Sequence, residues 1–143
     1  VDSNLSVIVQ YIVDKLEANK TSLGIVDVFY GDQHLIPNIP SVTVEGGDKQ
    51  REYTQTGMQT TVSLPVYIYI YHSGIRDLQI TKKACDELTE AIETLLHQDV
   101  DLGGLVINGL VTDVEPGFAN RGKDIFVVHR LTWQGFAKVR IGV

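Results

Sequence analysis

The stretch Val62-Ser63-Leu64-Pro65-Val66-Tyr67-Ile68-Tyr69-Ile70-Tyr71-His72 decides the fold. Its even positions are aliphatic up to Ile70, and Tyr67, Tyr69 and Tyr71 alternate with them. A period of two sends the sets to opposite faces of a sheet, so the aliphatic row is core and the tyrosine row faces away from it. Pro65 cannot donate to a ladder, which predicts a sheet edge or a bulge there.

A second strand of the same kind closes the chain, from about Ile125 to Ile141. Its odd positions include Val127, His129, Leu131, Trp133, Gly135, Ala137 and Val139, while Arg130, Thr132, Gln134, Lys138 and Arg140 fall on the even row. Such a run is about three times a typical strand, so it either bends at Gly135 or runs past its own domain. Upstream, residues 105–115 read as a strand, and Pro116-Gly117 opens a loop through Gly122-Lys123.

Two amphipathic helices flank these strands. Leu5, Ile8, Ile12 and Leu16 mark the first, over residues 4–20. Leu78, Cys85, Leu88, Ile92 and Leu95 mark the second, over 76–98, with Glu87, Glu90 and Glu93 on its wet side. Strands are predicted at 25–30 and 41–45, joined by a stiff extended crossing through Pro37 and Pro40. Gly46-Gly47 offers the positive φ angles of a tight hairpin turn, and the polar stretch after it predicts a projecting arm at about 45–60, with Lys49, Arg51 and Tyr53 on it. The expectation is one α+β domain over 1–143: an antiparallel or mixed curved sheet with two long strands, two helices on one face and a polar β-hairpin.

Composition narrows the function. With 143 residues, 43% hydrophobic and 21% charged, the chain is an ordinary globular domain, and it has no apolar run of the roughly 20 residues that a membrane helix needs. A formal net charge of −6 argues against a nucleic-acid-binding surface. The charge is segregated. Residues 86–120 hold eight acids and no Lys or Arg, whereas Arg121, Lys123, Arg130, Lys138 and Arg140 face one acid in the remainder. These are either two solvated surfaces or complementary faces on adjacent copies.

No catalytic signature accompanies the pattern. There is no nucleophile elbow, phosphate loop or dinucleotide fingerprint. His34, His72, His97 and His129 show no metal-pair spacing, and His72 and His129 read as core histidines of the long strands. Asp99-Val100-Asp101-Leu102-Gly103 lacks the remaining ligands of a calcium loop. Cys85 lies in an apolar stripe and reads as an inert small hydrophobe. No enzyme activity, cofactor or metal is expected. The tyrosine row and Phe136 suit either a helix or loop packed over them or a protein contact.

The order of elements resembles the tail terminator (tail completion) proteins of long-tailed bacteriophages. The likeness rests on the opening helix, Ile36-Pro37-Asn38-Ile39-Pro40-Ser41-Val42, the hairpin 45–60, the strand–helix unit 62–98 and Leu131-Thr132-Trp133-Gln134-Gly135-Phe136. It implies a structural virion subunit, assembled in the host cytoplasm into a hexameric ring. That ring would cap the tail tube and join it to the head connector, with DNA only in transit. Tyr67, Tyr69, Tyr71, Arg130, Lys138 and Arg140 would then meet neighbouring copies, with Glu87, Glu90 and Glu93 as the acidic counterpart. The alternatives are another ring-forming tube or connector subunit, or a small cytoplasmic dimeric domain binding a ligand at the tyrosines.

Overall fold

The structure is a computed structural model that describes residues 5–31, 38–47, 50–53, 59–72, 78–121 and 124–140. In chain order it runs α1 (Leu5–Ala18), α2 (Lys20–Leu23), β1 (Asp27–Tyr30), β2 (Ser41–Gly46), β3 (Gln50–Tyr53), β4 (Gln59–His72), α3 (Leu78–His97), a 3-10 turn (Leu102–Gly104), β5 (Asn108–Arg121) and β6 (Asp124–Arg140). The class is α+β with a mixed sheet, as the alternation predicts. No helix among the described residues is long and apolar enough to cross a membrane.

The sheet is organised by its two longest strands. β4 and β6 pair antiparallel from Gln59↔Arg140 to His72↔Val127. β5 joins β6 as an outer strand, and β2 and β1 continue on the far side of β4, giving the order β1-β2-β4-β6-β5. Among the described strands only β1 and β2 pair in parallel.

The even row of β4 is core, since Val62, Leu64, Val66, Ile68 and Ile70 are all fully buried. They meet Ile8, Ile12 and Leu16 of α1 and Cys85, Leu88, Ile92 and Leu96 of α3 in one cluster, so both helices pack on one face of the sheet. Leu96 is the fully buried member of the last turn of α3, and Leu95 packs at the margin.

Three sequence expectations are corrected. Pro65 marks neither an edge nor a bulge of β4, which is a central strand. A residue in an antiparallel ladder turns its N–H and C=O to the same neighbour. The Pro65 carbonyl accepts from Gly47 N–H at 2.9 Å, so its missing donor faces the gap between the end of β2 at Gly46 and the start of β3 at Gln50.

Gly46-Gly47, in turn, is not a hairpin turn. β2 and β3 both pair with β4, at Ser41–Gly46 against Tyr71–Val66 and at Gln50–Tyr53 against Ser63–Thr60, and neither glycine has positive φ. The polar hairpin is therefore made by β3 with the start of β4, and Lys49 lies outside the described residues. The crossing at 32–37 is also outside them.

Third, Pro116-Gly117 opens no loop. β5 continues through it to Arg121, with Pro116 opposite His129. An edge strand tolerates proline because one side of it needs no ladder donor. The β5 edge is blunted in other ways as well. A bulge falls between Val111 and Asp113, and the Val111 N–H donates to Nε2 of His97 at 3.0 Å. With Pro116 and the charges of Asp113 and Glu115, this strand resists pairing with a foreign edge.

Trp133 fixes how β5 meets β6. Its ring is fully buried, and Gly109 and Gly135 stand directly opposite each other across the two strands. A Cβ on Gly109 would come within 2.1 Å of the indole, and one on Gly135 within 2.4 Å. The glycine pair is thus the bed on which the ring lies. Gly109→Ala or Gly135→Ala should lower unfolding free energy by about 1–3 kcal/mol through overpacking. The urea midpoint reads it, and an unchanged midpoint would show that the ring can move aside.

Candidate functional site

The helices leave the opposite face of the sheet open, and strand register assembles a site there. Successive rows across β2, β4, β6 and β5 read Ser41–Tyr71–Val128–Gly117, Thr43–Tyr69–Arg130–Glu115 and Glu45–Tyr67–Thr132–Asp113. Residues far apart in sequence become neighbours because every strand contributes alternate positions to this face.

Arg130 is the centre of the cluster. Its Nη2 donates to Oε2 of Glu115 at 2.5 Å, and its guanidinium lies 5.4 Å from the Tyr67 ring centroid. Both partners of the ion pair are substantially exposed, so the pair contributes only about 0–1 kcal/mol. Its importance is positional, since it holds a cation over an aromatic face. The Tyr69 hydroxyl is raised above the usual tyrosine value, first by burial and then by the charge of Glu45. Among the described residues, Arg130 Nε and Thr43 Oγ1 are buried without a hydrogen-bond partner.

Tyr71 does not share the exposure of its row. It is fully buried, edge-on to Phe126 with centroids 6.0 Å apart and planes at 88°. Phe126 and Val128 lie on the outward row of β6, and with Tyr71, Ile39 and Ala119 they form a second, smaller core. This corrects Tyr71 as a candidate contact residue. Tyr67 and Tyr69 remain partly exposed, and beside this core Tyr69, Glu115, Phe118 and Arg130 line a shallow hollow of about 200 Å³. Further along the same face Phe136 is 40% and Leu110 48% exposed.

Other sequence candidates lie elsewhere. Glu87 and Glu90 are exposed and Glu93 half-buried on α3, across the sheet from the tyrosines. Lys138 and Arg140 pair by backbone with Thr61 and Gln59, and Arg51 and Tyr53 with Val62 and Thr60. The side chains of these four are outside the described set. The sequence missed Glu115, which acquires its role only through its register with Arg130.

On the helix side, β6 and α3 share a buried polar contact. Cys85 Sγ lies 2.6 Å from His129 Nδ1, and His129 Nε2 lies 2.9 Å from Asp86 Oδ1. An ionised carboxylate only accepts, so Nε2 carries the proton and Nδ1 accepts from the thiol. The order thiol, imidazole, carboxylate is that of an activated nucleophile. Here it is shut. Cys85 is fully buried, and its thiol is pushed up to about 12, by desolvation first and the Asp86 charge second. His129 is a core histidine, as its place on the inward row predicts. Among the described residues no group of three His, Cys, Asp or Glu could hold a metal ion.

No protein-family model and no curated protein matches the chain.

Two outcomes follow from the buried contact. Cys85 should resist a thiol reagent in the native protein and react once unfolded in urea; fast native labelling would contradict its burial. His129 titrates below its usual value, first because burial disfavours the imidazolium; Asp86 opposes the shift and Lys82 adds to it. The unfolded chain then binds the proton first, so stability is full above about pH 6.5 and falls as pH drops towards the folded value. His129→Gln should flatten that slope in denaturant titrations, leaving the part due to His72, which burial also lowers.

Proposed function

We propose that this chain is a structural subunit of a phage neck or tail, a tail-terminator-like protein that closes into a ring on the tail tube and joins it to the head. It works by assembly and not by catalysis. Its partners are further copies of itself, the tube protein and the head connector, and DNA passes through the central channel without a cofactor or metal.

The observation that carries this reading is the two-faced sheet. One face is sealed by α1 and α3, while the other presents Tyr67, Tyr69, Arg130, Glu115, Leu110 and Phe136 with no helix of the described chain over them. Tyrosine and arginine are enriched in protein contacts because they bring large area with a polar tip. The order of elements that resembles the tail terminators supports it, as does the segregation of acidic 86–120 from the basic residues that follow. Another ring-forming tube or connector subunit would use the same surface. A dimeric ligand-binding domain draws only on the hollow beside Tyr69 and Arg130, which is small and open.

Light scattering with negative-stain microscopy on the purified chain tests the proposal. The expected particle is a sixfold ring with a pore of about duplex-DNA width, and Arg130→Glu should weaken it. A stable dimer, or a monomer at every concentration, would overturn it.

A further inference from the structure

Phe118 is the most exposed large apolar side chain among the described residues, at 66%. It stands near the far end of β5, between two concavities. By register it lies opposite Val127, on the row that faces the helices, and from the β5 edge it also lines the hollow of Tyr69 and Arg130. On the helix face it shares a hollow of about 200 Å³ with Val127, His129 and the exposed Lys82. The knob therefore stands at the β5 edge, on the helix side of the sheet, and carries a cation beside it.

The other end of the molecule holds a receptor of matching character. Val7, Tyr11, Tyr30 and Leu105 line a groove of about 520 Å³ between α1 and the end of β1, with Gln10 and Asp14 on its rim. Val7 is 36% and Tyr30 48% exposed, so the groove presents apolar surface to solvent. Asp14 is exposed on the rim. Behind it the Tyr11 hydroxyl donates to Asp99 Oδ2 at 2.6 Å, and Lys15 pairs with the same oxygen at 3.3 Å.

Phe118 cannot reach the groove of its own chain. Leu105 precedes β5 and Phe118 lies near its end, and at about 3.3 Å per strand residue the two are roughly 30–40 Å apart. We propose that Phe118, with Lys82 beside it, is the anchor that one copy seats in the Val7–Tyr11–Tyr30–Leu105 groove of the next, where Lys82 meets Asp14. A knob and a groove at opposite ends make a head-to-tail contact, the kind that closes into a ring or runs on as a filament. This inference rests on the ring reading and names the contact between its copies.

The test uses Phe118→Asp and Val7→Glu on the full chain, checked for a native circular dichroism spectrum and followed by sedimentation velocity. Each variant alone should be monomeric, with the dissociation constant raised about 30-fold or more, as for a central anchor residue. Mixed, they should form a one-to-one heterodimer, because one copy keeps its groove and the other its knob. Phe118→Leu should keep the assembly. If either variant fails to fold, Lys82→Asp should weaken assembly and Lys82→Asp with Asp14→Lys should restore it.

A wild-type ring with an equally stable Phe118→Asp ring overturns this contact and leaves the ring reading standing. A wild-type chain that forms no ring overturns the reading itself. A Phe118→Asp ring that no longer attaches to tails assigns the anchor to another tail protein and overturns the second copy as occupant.

Discussion

Everything in this molecule hangs on the antiparallel ladder between β4 and β6. It pairs fourteen residues without interruption, from Gln59↔Arg140 to His72↔Val127. Strands of 14 and 17 residues extend roughly 46 and 56 Å, whereas the 20 residues of α3 span about 30 Å. α3 alone therefore cannot cover the ladder along its whole length, and α1 packs beside it on the same face. The apolar inward row of β4 begins at Val62, and the residues before it, Gln59-Thr60-Thr61, are polar, with Thr60 and Thr61 paired to β3.

The ladder also explains the irregularities beside it. Proline is costly in a central strand, yet Pro65 is accommodated because its donor-less side meets the break between β2 and β3. A buried indole needs room, and the Gly109–Gly135 pair provides it where β5 crosses β6. Trp133 Nε1 is buried without a partner among the described residues, a cost of about 1–3 kcal/mol that the packing of the ring has to offset. The sheet tolerates these local conflicts because the inward rows of β4 and β6 join both helices in one continuous core.

Much of this was legible in the sequence, wherever a single strand or helix settles the outcome. The alternation at 62–72 and 125–141, the stripes of α1 and α3 and the burial of Cys85 and His129 follow from periodicity alone. What was not legible depends on who the neighbour is. Pro116-Gly117 resembles a loop until β5 is known to be an edge strand. Gly46-Gly47 resembles a turn until β3 is known to pair with β4. Tyr71 reads as exposed until Phe126 and Val128, apolar residues on a largely polar row, are seen to close over it. Of the candidate site, Tyr67, Tyr69 and Arg130 were legible as residues, but their meeting with Glu115 was not, because register is a tertiary property.

The central claim is that the face left open by α1 and α3 is covered in the working assembly. Hydroxyl-radical footprinting of the chain, diluted below and concentrated above its assembly point, reads this directly. Tyr67, Tyr69 and Phe136 should lose reactivity on assembly, while the buried Tyr71 stays unreactive in both states. Equal labelling of Tyr67, Tyr69 and Phe136 in both would contradict it.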